Sequence, residues 1–540
     1  MDMAATYREL GVWRDRTFLD DFLDVSASHP DRVAIVSTTA ATRGVHTLSY
    51  GQLGRIVDRF AGALLELGVG PGDVVSIQLP NAWQFAALIL ATARVGAVVN
   101  PLVPILRHRE LSFILGRTEA KVLFVPTVLR GFDHAALARQ LERELGNETG
   151  HGPKVFVVGD DFEAHFVERR WEDDRLLGVR LDRLRPAADD LAQIQFTSGT
   201  TGEPKGVEHT FNTLNASMQG ALRLMGVTAE DPVFMASTLA HQTGFLYGVI
   251  APLSLGAKAV YQDVWAPAAA LTVIADERVA WTFGAAPFVM DLIEAQHQAP
   301  RAMPKFRLFG CGGAPIPPHV VAGSQESLGA ELVAVWGMTE NGVVTCTRPG
   351  DRVEVVSASD GICVPWMEVR IVDDFGAELP VGQPGRLQVR GANQTRGYYK
   401  RPDLYAESLT ADGWFDTGDM AMGREDGGIR IAGRYKDLII RGGENIPVAD
   451  VEATLYVHPK VKELAVVGYP DERLGERACA VIVPERAEDP PTLAEVVAHC
   501  EAQGLAKPYW PERIEIRAEL PKTPSGKVQK YKLREALMSG

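Results

Sequence analysis

The chain is predicted to be an α/β protein, with a large N-terminal region of layered α/β subdomains, a β-rich subdomain, and a small α+β C-terminal domain. Three observations lead there. Short β-rich runs alternate with helix-period stretches through roughly the first 400 residues, the pattern of layered, largely parallel sheets. Around residues 367–391 the pattern changes to alternating strands with Gly/Pro turns. Finally, 540 residues are too many for one hydrophobic core.

In chain order, strands are expected at 33–37, 74–79, 122–126, 155–159, 191–196, 234–237, 281–284 and 332–336, each a short apolar run rich in Val, Ile or aromatic residues. Helix-period stretches cover 50–67 and 82–95, the latter with Asn81 as its expected N-cap. The most apolar stretch, 85–106, contains Arg94, Asn100, Pro101 and Pro104; it reads as a buried helix turning into a loop and not as a membrane span. A further unit follows Gly433-Arg-Tyr-Lys-Asp437, with strands at 464–468, 480–483 and 514–516, helices at 448–457 and 493–503, and an acidic loop at 485–491. The boundary is placed at Lys436, giving domains 1–435 and 436–540.

Composition narrows the function. A net charge of −14 argues against a broad nucleic-acid surface, so any nucleotide site must be positive only locally. Five cysteines, odd in number and without paired spacing, suggest a reducing compartment and neither a disulfide framework nor a zinc site. The first residues have no basic and apolar leader pattern, so no signal peptide and a cytoplasmic location are expected.

The segment Phe196-Thr-Ser-Gly-Thr-Thr-Gly-Glu-Pro-Lys-Gly206 has the composition of a polyphosphate cradle. Glycine lets successive backbone N–H groups converge on one anion. Thr197, Ser198, Thr200 and Thr201 add hydroxyl donors around Gly199 and Gly202, and Lys205 adds a charge. It is not the common P-loop, in which Lys is followed at once by Ser or Thr; here Gly206 follows. Alone, such a stretch is equally a Gly/Thr-rich surface turn.

Five further segments accompany it: Gly310-Cys-Gly-Gly-Ala-Pro315, Val335-Trp-Gly-Met-Thr-Glu340, Gly413-Trp-Phe-Asp-Thr-Gly-Asp419, Gly433 to Asn445, and Pro521-Lys-Thr-Pro-Ser-Gly-Lys527. In order and wording the six resemble the adenylate-forming superfamily of acyl-CoA synthetases, peptide-synthetase adenylation domains and beetle luciferases, over nearly the whole chain. The resemblance implies two half-reactions. A carboxylate attacks the α-phosphorus of ATP, giving acyl-adenylate and pyrophosphate; a thiol then attacks the acyl carbonyl and expels AMP. ATP, Mg²⁺ and coenzyme A are the implied cofactors.

Each residue role follows from the resemblance. Lys527 is the cation between carboxylate and α-phosphate. Glu340 is the Mg²⁺ ligand, and Thr339 touches the α-phosphate. Asp419 accepts from the ribose hydroxyls, with Arg434 beside the same sugar. Gly313, Ala314 and Pro315 pass under the adenine, and Trp336, often Tyr in relatives, stacks on it next to Gly337. His241 borders the acyl carboxylate, although by itself it is more simply a structural histidine. Lys436 is the hinge about which the C-terminal domain rotates, bringing Gly442 and Gly443 to the thiol tunnel in place of Lys527.

No Asp stands in 237–246 to pair a substrate ammonium, so an amino-acid substrate is not expected. Wording at 206–214, 281–288 and 504–513 is similar to the cyclohexanecarboxylate-CoA ligase and medium-chain branch. Phe211 stands where that branch often has His, and Tyr7 to Trp13 is similar in style to aryl-acid-activating enzymes. The implied activity is acyl-CoA synthesis from an aliphatic, alicyclic or aryl acid, in a largely apolar pocket lined by Gln242, Gly244, Phe245 and residues 310–314. The alternatives are transfer of the activated acid to a carrier protein and a non-catalytic nucleotide-binding relative; intact Lys527, Glu340 and Asp419 speak against the last.

Overall fold

The computed structural model describes residues 3–40, 44–150, 152–197, 204–313, 316–434, 439–441, 444–446, 448–471, 473–522 and 528–539. Two large sheets form the bulk of the N-terminal region. Nine strands make the first, whose centre is the parallel series Val33–Thr39, Ala259–Gln262, Val233–Met235, Trp281–Gly284, Leu308–Gly312 and Glu331–Met338. In the seven-stranded second sheet, Lys154–Val158, Val122–Pro126, Val74–Ile77, Val98–Pro101 and Leu191–Thr197 run parallel. Their residues are buried in continuous runs, as for Val122–Pro126 and Trp281–Gly284, because helices cover both faces of a parallel sheet.

Antiparallel strands are added only at the margins. Lys205–Thr210 folds back on Leu191–Thr197, and Gly397–Tyr398 closes that edge. Gly342–Cys346 similarly folds back on Glu331–Met338. The β-rich region is a four-stranded antiparallel sheet of Met367–Val372, Pro384–Gly391, Phe415–Gly423 and Ile429–Arg434. The C-terminal unit has its own sheet, with helices Val448–Tyr456 and Leu493–Ala502 and a separate apolar core. Lys436, the expected boundary, lies outside the described residues.

Two local expectations are corrected. Residues 98–101 form a buried strand, not a loop: Asn100 is fully buried because its Nδ2 donates to the Ile194 carbonyl (2.8 Å) and its Oδ1 accepts from Ser76 Oγ (2.9 Å). Asn81 does not cap the helix Trp83–Arg94, whose N-cap is Ala82. Its Nδ2 instead donates to the Ser237 carbonyl (2.9 Å), and its Oδ1 accepts from Leu239 N–H (2.8 Å). A buried amide is worth more satisfying two strand-end backbone groups than one partly solvated helix end. Asn81 thereby fixes the loop that leads to His241.

Candidate active site

Parallel sheets present their ligand-binding crevice at the carboxyl ends of the strands, and several of the predicted residues lie there. Gly312–Gly313 ends one strand, Met338–Thr339–Glu340 follows the next, Thr197 ends the strand of the second sheet, and His241 follows Val233–Met235. Gly313 takes a φ of +87°, which a side chain would strain. At Gly337 a Cβ would lie 2.1 Å from the Gly342 carbonyl oxygen, so only glycine lets the returning strand pack this closely.

Glu340 is 7 % exposed. Its Oε1 accepts from the Tyr398 hydroxyl (2.9 Å), and its main-chain carbonyl accepts from Thr395 N–H (2.7 Å). The Lys205 ammonium lies 4.7 Å from the centroid of the Tyr398 ring, a cation–π distance. Burial pushes the Glu340 carboxyl up, while the Tyr398 hydrogen bond, Lys205 and Arg434 pull it down. Among the described residues no group of three His, Cys, Asp or Glu could enclose a metal. One buried carboxylate with phosphates completing the shell is how Mg²⁺ is usually held, so the donor set fits that ion.

On the other side of the same strand end, Trp336 Nε1–H donates to Asp419 Oδ2 (3.1 Å). Arg434 faces Asp419 across the antiparallel pair, with its Nε 3.5 Å from Asp419 Oδ1. The three residues expected around adenine and ribose are thus brought together. His241 sits on the loop after Val233–Met235. It is the N-cap of the short helix Gln242–Gly244, its Nδ1 accepting from Thr243 N–H (3.4 Å). Thr197 Oγ1 donates to the Lys205 carbonyl across the hairpin (3.5 Å). Ser198, Gly199, Thr200, Thr201, Gly202, Ala314, Pro315, Lys436, Gly442, Gly443 and Lys527 lie outside the described residues.

Two residues in the site carry no expected role from the sequence, Tyr398 and His209. His209 is fully buried on the strand Lys205–Thr210. Its Nε2 is 2.7 Å from the Thr339 carbonyl, so that nitrogen carries the proton, and its Nδ1 accepts from the Thr213 hydroxyl (3.0 Å). No local signal marks it, since the strand reads Lys-Gly-Val-Glu-His-Thr and His209 is one polar residue among several. Phe211, in place of a histidine, is buried against Phe18 with ring centroids 5.0 Å apart.

Burial pulls the His209 pKa down to about 4. An unfolded histidine titrates near 6.5, so between these values the unfolded chain binds more protons than the folded one. Stability from this group is full above pH 6.5 and falls as pH drops towards 4, by roughly 3 kcal/mol across the window. His209→Gln keeps an N–H for Thr339 but cannot titrate. Urea midpoints at pH 7.5 and 4.5 should therefore differ less in this variant than in the parent.

Comparison with known proteins identifies the family. The fold is that of an AMP-binding enzyme: that family's model matches residues 22–399, and the model of its C-terminal domain matches residues 450–527. The chain belongs to this adenylate-forming superfamily and is an AMP-forming acid–thiol ligase, which activates a carboxylic acid with ATP through an adenylate. It is 35 % identical to the medium-chain fatty-acid–CoA ligase of Escherichia coli K12, over 99 % of this chain and 93 % of that one. It is 32 % identical to the 2,3-dihydroxybenzoate-AMP ligase of Bacillus subtilis 168, over 99 % and 96 %. ATP-bound MatB from Rhodopseudomonas palustris superposes with a TM-score of 0.81 at 26 % identity, over 96 % of this chain and 98 % of that one. Among the described residues no helix is long and apolar enough to cross a membrane.

Proposed function

We propose that the chain converts an aliphatic, alicyclic or aryl carboxylic acid to its coenzyme A thioester, releasing AMP and pyrophosphate. The observation that carries this reading is the convergence of Lys205, Thr339 and Glu340 with Trp336, Asp419 and Arg434 around one strand end. In this reading Trp336 stacks on adenine and Asp419, held by Arg434 and the indole N–H, accepts from the ribose. Lys205 leaves the Tyr398 ring to meet the outer phosphates, together with hydroxyl and amide donors of 197–202. Thr339 meets the α-phosphate and Glu340 holds Mg²⁺, which when bound neutralises phosphate charge. Gly313, Ala314, Pro315 and Gly337 give the backbone room to approach the nucleotide. His241 borders the acid's carboxylate.

Carboxylate and α-phosphate, both anions, repel by about 4 kcal/mol at about 4 Å and an effective dielectric near 20. Lys527 offsets that repulsion and stabilises the charge that develops as the acid attacks. Rotation about Lys436 then withdraws Lys527 and brings Gly442 and Gly443 beside the thiol arm. The boundary of the moving domain is accordingly put at residue 436, and the enzyme in the cytoplasm, where CoA and ATP are available.

Mass spectrometry of reactions with ATP, Mg²⁺, CoA and acids from acetate through octanoate and palmitate to cyclohexanecarboxylate, benzoate and dihydroxybenzoate tests the reading. A CoA thioester from one group of acids is the expected result; acid-dependent pyrophosphate without a CoA adduct would favour a carrier-protein acceptor. One observation keeps hydroxylated aryl acids in view. Gln242 is 5 % exposed, and neither atom of its amide has a hydrogen-bond partner among the described residues. Such a group gains by meeting a polar substituent on the acid.

A further inference from the structure

Glu340 is gripped at two points by one short stretch of chain. Thr395 N–H donates to its main-chain carbonyl (2.7 Å), and three residues later the Tyr398 hydroxyl donates to its Oε1 (2.9 Å). That stretch is itself held. Gly397–Tyr398 pairs with the strand of Lys205, in the register Val207 to Tyr398, and Thr395 Oγ1 donates to the Glu208 carbonyl. Tyr398 is 5 % exposed, wedged between the Lys205 ammonium on its face and Tyr405 at its edge (centroids 6.0 Å apart, planes at 88°). Its ring is therefore held on its face and at its edge.

We propose that Tyr398 is a positioning residue that presents the Glu340 carboxylate in one orientation and thereby sets the affinity of the site for a divalent cation. A Glu side chain has three rotatable torsions, and its terminal one is broad. A fixed donor on one oxygen removes that freedom before a cation arrives, as outer-shell partners do for metal-ligating carboxylates. The same ring seats Lys205 in this structure, 4.7 Å from its centroid, before phosphate draws that ammonium away. The inference rests on Glu340 being the metal ligand.

The test uses the full chain with Mn²⁺ as the probe, in the presence of α,β-methylene ATP, with bound metal read by electron paramagnetic resonance. Tyr398→Phe keeps the ring and its packing and removes only the hydroxyl. It is expected to remain folded at the assay temperature and to weaken Mn²⁺ binding about tenfold. The adenylation rate should return to near the parent's value at saturating metal, and thioester formation from supplied acyl-adenylate should be unchanged. An unchanged Mn²⁺ affinity, or an adenylation defect that metal does not restore, overturns the proposal. Glu340→Gln separates the two ideas. If it binds Mn²⁺ as the parent does, the assignment of Glu340 fails; if it loses Mn²⁺ while Tyr398→Phe does not, only the role of Tyr398 fails.

Discussion

Lys527→Ala is expected to lower acid-dependent pyrophosphate release by about 10²–10³-fold, the usual cost of deleting one group that stabilises transition-state charge. Thioester formation from supplied acyl-adenylate is expected to survive. The asymmetry follows from the chemistry. In the first half-reaction two anions must be pressed together, and a neutral methyl group leaves their repulsion uncompensated in a site where the buried Glu340 carboxylate adds negative charge. In the second, a thiol attacks an acyl carbonyl whose leaving group is already AMP, and no second anion has to approach phosphate. Assaying the two steps separately, by pyrophosphate release and by CoA consumption from synthetic adenylate, decides the matter. Equal loss of both would sink the two-state assignment of the C-terminal domain.

Glu340→Gln should show a loss of function without a loss of fold. Adenylation is expected to fall about 10²–10³-fold, since a neutral amide is a poor substitute for a hard anionic ligand. Stability in metal-free buffer at neutral pH should be equal to or above the parent's. Burial raises the Glu340 pKa above its unfolded value, so the folded state holds that proton more tightly than the unfolded one. The benefit is present at low pH and is lost as pH rises from the unfolded value through the folded one. The variant has no carboxyl whose ionisation burial opposes. The Gln carbonyl can still accept from the Tyr398 hydroxyl. Urea unfolding at pH 7.5 and pyrophosphate release on the same preparation check both halves; a clear destabilisation would mean that the carboxylate serves the fold first.

Much of the architecture was legible because it is locally encoded. Residues 122–125 and 281–283 are continuous runs of branched and aromatic side chains, and a strand buried on both faces needs nothing else. The helix at 50–66 declares itself through its apolar period, and in the structure a Ser49–Gln52 capping box closes its start. Residues 98–101 misled for the opposite reason. Asn100 and Pro101 locally signal a loop, and only the neighbouring strands, by supplying Ser76 and the Ile194 carbonyl, make a strand there affordable.

The chemistry was legible wherever it resides in residue type. A carboxylate at 340, an indole at 336, a carboxylate at 419 and lysines at 205 and 527 take their proposed roles from the resemblance, and their order along the chain names the family. What supports them was not, because each support comes from a distant segment. His209 meets Thr339 across 130 residues, and Tyr398 meets Glu340 across 58. Asn81 holds a strand end more than 150 residues away. A histidine, a tyrosine or an asparagine in isolation has several equally good partners, and no local period selects among them. The amino-acid order determined the layered α/β class, the adenylate-forming chemistry and the residues proposed to perform it. Strand order and register decided which side chains hold those residues in place, since a hydrogen bond between remote segments exists only once the sheets have set the distance between them.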